Sequence, residues 1–144
     1  MLAAAMLFCT ATTADAGTLT VRVTNVRNAK GEVDIAVCPK PLFLSENCPY
    51  AASAPAKPGT TLVTIHGLPA GTYAVQAFHD ENLNHKVDRA LFGIPKEGIG
   101  FSNDAPIHLS PPKWKDAEFA FDGGDQQITL KMRHLLGAPG PEGS

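Results

Sequence analysis

The stretch TTLVTIHGLPAGTYAVQAFH, Thr60 to His79, decides the fold class. Its first part, Thr60 to His66, carries Leu62, Val63 and Ile65 among threonines. Gly67 to Gly71 reads as a tight turn, with glycines at both ends of a Leu-Pro-Ala core. From Thr72, Tyr73, Val75 and Ala77 alternate with Ala74, Gln76 and Phe78. A period of two, built from β-branched and aromatic residues, is the signature of a strand. Because both alternating sets of the second run contain apolar residues, that strand belongs at the centre of the fold.

Working outward, Thr18 to Arg27 sets Leu19, Val21 and Val23 against Thr20, Arg22 and Thr24. Glu32 to Cys38 sets Val33, Ile35 and Val37 against Asp34 and Ala36. With the turn Asn28–Gly31 between them, these two runs predict an antiparallel hairpin. Pro39 to Gly59 holds five prolines and no period, so it reads as a long excursion, with Leu42, Phe43, Leu44 and Tyr50 folding back over the sheet. Residues 80 to 112 show no strand or helix. Trp114 to Ala117 starts a helical turn. Glu118–Phe121 and Gln126–Arg133 are two last strands, joined as a hairpin through Asp122-Gly123-Gly124-Asp125.

The result is an all-β antiparallel sandwich of about seven strands, one domain over 17–136, with a long irregular loop segment. The Gly/Pro-rich tail 137–144 is expected to be disordered. The Gly67–Tyr73 turn resembles that of prealbumin-like (transthyretin-like) sandwich domains, such as the collagen-adhesin B-type repeats.

Composition fits this reading. Of 144 residues, 44% are hydrophobic and 18% charged, enough for a packed core. A formal net charge of -2 carries no basic surplus, which speaks against a nucleic-acid partner. Residues 1–16 form a short apolar run ending in Ala14-Asp15-Ala16, a small-x-small pattern typical of a signal peptide. The run is too short to span a bilayer. The mature chain would begin at Gly17 and be periplasmic or secreted, with no transmembrane segment. Export makes a disulfide the default for the remaining pair, Cys38 and Cys48. It would contribute on the order of 2–3 kcal/mol. Two thiolates at this spacing are a weaker zinc site, because no His or Cys pair lies nearby.

The chemistry concentrates after the central strand, in His79-Asp80-Glu81-Asn82-Leu83-Asn84-His85-Lys86-Val87-Asp88. Side-chain oxygens at Asp80, Asn82, Asn84 and Asp88, with the backbone carbonyl of Lys86, follow the spacing of a loop that wraps a hard cation such as Ca²⁺. His85 occupies the position where such loops take Gly for a positive φ, a conformation His tolerates better than most residues. Leu91 replaces the usual bidentate Glu, so affinity should be weak, on the order of 10⁻⁴–10⁻³ M. Glu81 or Glu97 could add an oxygen. The competing reading needs no ion: Asp and Asn side chains bond their own backbone in Asx-turns. A third uses His79, His85 and Asp88 for a transition metal, as a metal-handling protein or metal-dependent enzyme would.

Elsewhere, His66, His108 and His134 lie at or near strand ends, and Ser102 has no nucleophile elbow around it. The glycines at 93, 98 and 100 lack the strand–helix context of a phosphate loop.

The run from Gly67 to Asn84, then Gly93 to Asn103 and Pro-Pro-x-Trp-x-Asp-Ala over 111–117, resembles a bacterial secreted family known as domain of unknown function 2141 (DUF2141). The resemblance extends from Leu19 to about Arg133. It implies export and a compact β-rich domain, and supplies no activity. The family's pattern His-Asp-x-Asn-x-Asn-Gly-x-x-Asp is matched at His79, Asp80, Asn82, Asn84 and Asp88, with His85 where Gly is usual. These readings lead to an exported non-enzymatic binding or structural module, stabilised by weakly bound Ca²⁺, with an unidentified protein or cell-surface ligand. A subunit that self-assembles through an open sheet edge is the other alternative.

Overall fold

In a computed structural model, residues 16–87, 95–107 and 110–144 are described. The expected signal peptide therefore lies outside the described residues, except for Ala16. The chain runs β1 (Ala16–Val26), β2 (Glu32–Cys38), β3 (Tyr50–Pro55), β4 (Gly59–Pro69), β5 (Gly71–Asp80), β6 (Ile99–Phe101), α1 (Trp114–Ala117), β7 (Phe119–Phe121) and β8 (Asp125–Lys131). One sheet has the order β4-β1-β8. The other has the order β3-β2-β5-β6, and β7 pairs with the first residues of β5. Among the described residues, no helix is long and apolar enough to cross a membrane.

The period of two places one set of side chains between the sheets. Leu19, Val21 and Val23 of β1, Val63 and Ile65 of β4 and Leu130 of β8 meet Val33, Ile35 and Val37 of β2 and Tyr73, Val75 and Ala77 of β5. All are buried. Each Val or Leu removed from water contributes about 1.5–3 kcal/mol before chain entropy is set against it. The central placement of β5 holds, since it pairs with β2 along one edge and with β6 and β7 along the other.

Both expected hairpins are corrected. β1 pairs antiparallel with β4 and parallel with β8, while β2 pairs with β3 and β5. The segment 27–31 is thus an arch that carries the chain from one sheet to the other. Asn25, at φ 61, starts the departure. Its side-chain amide donates to the carbonyls of Met132 and Gly143. Likewise Asp122–Gly124 carries the chain from β7 in the five-stranded sheet to β8 in the three-stranded one. The physical reason is that alternation reports which face of a strand is apolar, and two such faces can lie side by side or opposite each other. The parallel β1–β8 pairing also means that the three-stranded sheet is mixed rather than purely antiparallel.

Two further strands lie in stretches read as irregular. β3, Tyr-Ala-Ala-Ser-Ala-Pro, is an edge strand whose small side chains hide its alternation. β6 runs beside β5 from Ile99 to Phe101. Gly100 permits its close approach to β8, because a Cβ there would sit 2.8 Å from Leu130 Cδ1 and 2.9 Å from the Lys131 carbonyl.

Among the described residues, the excursion after β2 covers one end of the outer face of the five-stranded sheet. The Cys38–Cys48 disulfide ties down the excursion after β2. Phe43 then packs edge-on against Phe101 and Trp114, at centroid distances of 6.2 and 5.6 Å. Leu44 N–H donates to Gln76 Oε1, and Gln76 Nε2 donates to the Ser45 carbonyl. The other end of this face, where β2 begins and β5 finishes, carries polar side chains.

The tail is packed along one flank. Asn25 Oδ1 accepts the Glu142 amide, and Arg27 Nη1 donates to the carbonyls of Leu136 and Ala138.

Candidate metal centre

The open end of the sheet is built by register. Across β2 and β5, Glu32 lies opposite Asp80 and Asp34 opposite Phe78. On the other side, Asp34 lies opposite Ser53 of β3. Core residues alternate with these, so Glu32, Asp34 and Asp80 share the outer face. Gly31, at φ +64, brings the strands together there, since any Cβ would collide with the Asp80 carbonyl.

Asp80 also winds the loop that follows. Its Oδ1 accepts the Asn84 amide at 3.1 Å and its Oδ2 the His85 amide at 2.8 Å. Asn82 Oδ1 accepts the Asn84 amide, and Asn84 Oδ1 accepts the Lys86 amide. Leu83 and His85 complete the turn at φ 57 and 59. The chain therefore doubles back and sets the His85 ring over the sheet. His85 Nδ1 lies 3.4 Å from Glu32 Oε1, 3.7 Å from Asp80 Oδ2 and 4.0 Å from Asp34 Oδ2. One donor atom from each of Glu32, Asp34, Asp80 and His85 falls within 4.8 Å of the others.

The four differ in exposure. Asp80 is wholly buried, Asp34 is 9% exposed, Glu32 is intermediate and His85 is exposed. Asp34 Oδ1 is buried with no hydrogen-bond partner among the described residues. Burial pushes the Asp34 carboxyl up to about 6; the Ser53 hydroxyl opposes the rise, and the neighbouring carboxylates of Glu32 and Asp80 add to it. A groove of about 670 Å³ leads away from the cluster along the sheet, past Phe78, Gln76, Ile99 and Phe101.

The residues expected to form a site separate into three groups. Asp80 and His85 come together. Asn82, Asn84 and Lys86 are exposed, and the two Asn oxygens accept backbone amides in the Asx manner. Asp88 lies outside the described residues. His79 faces the other way, is fully buried, and has Nε2 2.6 Å from the Lys30 carbonyl, so it does not converge with His85. Glu97 is buried and its Oε2 accepts the Glu81 amide at 2.7 Å. Glu81 itself pairs with Arg27 and accepts from Asn28. Glu32 and Asp34 were missed. They are the acidic side chains on the polar face of their strand, but only the pairing with β5 brings them to the loop.

The remaining candidates are structural. Ser102 Oγ accepts the Val75 amide and donates to the Ala117 carbonyl. His134 is buried with Nε2 2.8 Å from the Asn25 carbonyl. His66 is exposed at the edge of β4, and His108 is outside the described residues.

Three carboxylates and an imidazole on one sheet face, with a buried oxygen left over, form a donor set for a divalent cation. The same chain is matched over residues 21–129 by a family described as "Uncharacterized protein conserved in bacteria (DUF2141)", and it belongs to that family. Neither the curated proteins nor the solved structures contain a match to it.

Proposed function

We propose that the protein is an exported, non-catalytic β-sandwich module that holds a divalent cation against the outer face of its five-stranded sheet. The observation that carries this is the carboxylate of Asp34, buried with Oδ1 unpartnered beside Glu32 and Asp80. Like charges directly opposite on paired strands destabilise a sheet. An ion bound between them removes the repulsion. Relative to the expected loop chelate, the ligand set moves onto the strands, with Asp80 common to both.

Export is supported by the Cys38–Cys48 disulfide, a bond that persists in oxidising compartments, and by the signal-like stretch 1–16. A non-catalytic role is supported by Ser102, whose hydroxyl is committed on both sides, and by the buried rings of His79 and His134.

Thermal unfolding after EDTA treatment, then with millimolar Ca²⁺, Mg²⁺, Mn²⁺ or Zn²⁺, tests the proposal. At a hundredfold excess over Kd, a bound ion adds about 2.7 kcal/mol, or a rise of about 5–10 °C in Tm. Asp34→Asn should abolish the rise. A midpoint indifferent to all four ions would overturn the reading.

A further inference from the structure

We infer that the ion is a transition-type divalent cation of the Zn²⁺, Mn²⁺ or Co²⁺ class rather than Ca²⁺, bound by His85 Nδ1 together with carboxylate oxygens of Glu32, Asp34 and Asp80. The inference rests on the cation reading above and names the ligand class of that same site.

Three observations lead to it. The first is the donor set. Ca²⁺ draws its ligands from oxygen, whereas an imidazole nitrogen beside carboxylates suits zinc and its neighbours. The second is spacing. Two ligands each about 2.1 Å from a tetrahedral metal lie about 3.4 Å apart. His85 Nδ1 is 3.4, 3.7 and 4.0 Å from the oxygens of Glu32, Asp80 and Asp34. All four donor atoms lie within 4.8 Å of one another, so closing a shell requires the side chains to rotate inward. The third is the buried, unpartnered Oδ1 of Asp34. A protonated His85 acting as the counter-charge would leave that oxygen as it is, since Nδ1 approaches Asp34 through Oδ2. An ion in the cluster would meet Asp34 first through Oδ2, and would reach Oδ1 only by chelating both oxygens of that carboxylate.

The loop's construction is consistent with this role. His85 sits at φ 59, where Gly or Asn would be easier, and its amide is bonded to Asp80. One carboxylate thus both holds the backbone of the fourth ligand and faces its ring. Asp80 also lies directly opposite Glu32, so a single pairing register positions three of the four donors. The ring is exposed on its outer side, and the groove along Phe78 and Gln76 leaves a route for ions and water.

The full chain, stripped with EDTA, should be titrated calorimetrically with Zn²⁺, Co²⁺, Mn²⁺ and Ca²⁺, and Co²⁺ binding followed by its visible absorption. His85→Gly is the informative variant, because it removes the nitrogen donor while easing the backbone at a positive φ. Wild type should prefer Zn²⁺ or Co²⁺ over Ca²⁺ by roughly tenfold or more. His85→Gly should lose roughly 10–100-fold in affinity for Zn²⁺ and Co²⁺ and change the cobalt spectrum, with Ca²⁺ binding little altered. Asp34→Asn should weaken every ion. Equal affinity for Ca²⁺ and Zn²⁺, or unchanged Zn²⁺ binding in His85→Gly, overturns the inference while leaving a cation site in place. Unchanged Zn²⁺ binding in Asp34→Asn places the ion elsewhere and overturns it too. Absence of binding by any ion removes both this inference and the reading beneath it.

Discussion

Glu32 and Asp80 stand directly opposite each other in the β2–β5 register, two carboxylates on the same face of neighbouring strands. Asp34, one step along that face, adds a third. Like charges so placed repel, and a sequence that keeps them together at a buried position accepts a standing cost in the absence of a counter-charge.

That cost sets the first prediction. The Asp34 carboxyl titrates near 6 in the fold against 3.8 in the free side chain, chiefly because of burial. A raised carboxyl favours the folded state fully below pH 3.8, and the advantage disappears as pH rises through about 6. In EDTA above that range, Asp34→Asn should therefore stabilise the protein by about 1–3 kcal/mol, read from urea unfolding. A destabilised variant under those conditions would show that the charge is already compensated. With metal present the same substitution should lose the ion-dependent gain of about 2.7 kcal/mol, which offsets most or all of that stabilisation.

His134 sets a pH dependence of the opposite kind. Burial lowers its proton affinity from the usual 6.5, the Asn25 carbonyl opposes the shift, and nearby Arg27 reinforces it. A depressed histidine leaves stability intact above pH 6.5 and erodes it as pH falls toward the folded value, because the unfolded chain takes the proton first. Unfolding midpoints should fall on acidification below that point. His134→Gln should flatten the slope; an unchanged slope would assign it to another group.

The Arg27–Glu81 pair is the clearest double-mutant cycle. Arg27 reaches Glu81 through Nε and Nη2, and also donates to the carbonyls of Lys96, Leu136 and Ala138. Burial would raise the Glu81 carboxyl, but hydrogen bonds from Asn28 and Arg27 outweigh it and hold it below the ordinary value. Arg27→Met should cost about 2–4 kcal/mol, more than an exposed pair would. Arg27→Met with Glu81→Gln should cost less than the sum of the two singles, with a coupling of about 1–3 kcal/mol.

Reduction of Cys38–Cys48 should lower stability by on the order of 2–3 kcal/mol. It should also loosen the packing of Phe43 on Trp114. Trp114 is the single tryptophan, so its fluorescence reports that contact directly. A spectrum unaltered by reductant would mean that the excursion holds its place through Leu44, Ser45 and Gln76 alone.

Much of the fold could be read from alternation. Tyr73, Val75 and Ala77 mark β5 plainly, and the paired cysteines implied their bond. Partner choice could not be read, because Leu19, Val21 and Val23 would present the same pattern in a hairpin as in facing sheets. β3 was hidden by its alanines, which carry too little apolar surface to register as a stripe. For the site, Asp80 and His85 are neighbours in sequence and visible as such. Glu32 and Asp34 join them only through strand register, a long-range property that no local pattern encodes. The glycine position filled by His85 looked like a defect of a calcium loop, and its meaning changes once the ring is seen to face three carboxylates.

The place of β1 has a kinetic consequence. It lies between β4 and β8, so β1 gains its second neighbour only when a strand far later in the chain arrives. Contacts of such long sequence separation slow folding. Until β8 docks, one edge of β1 offers unpaired amides and carbonyls to any passing chain. Truncations that remove β8 should therefore aggregate rather than yield a smaller soluble domain, and refolding yield should fall steeply with protein concentration.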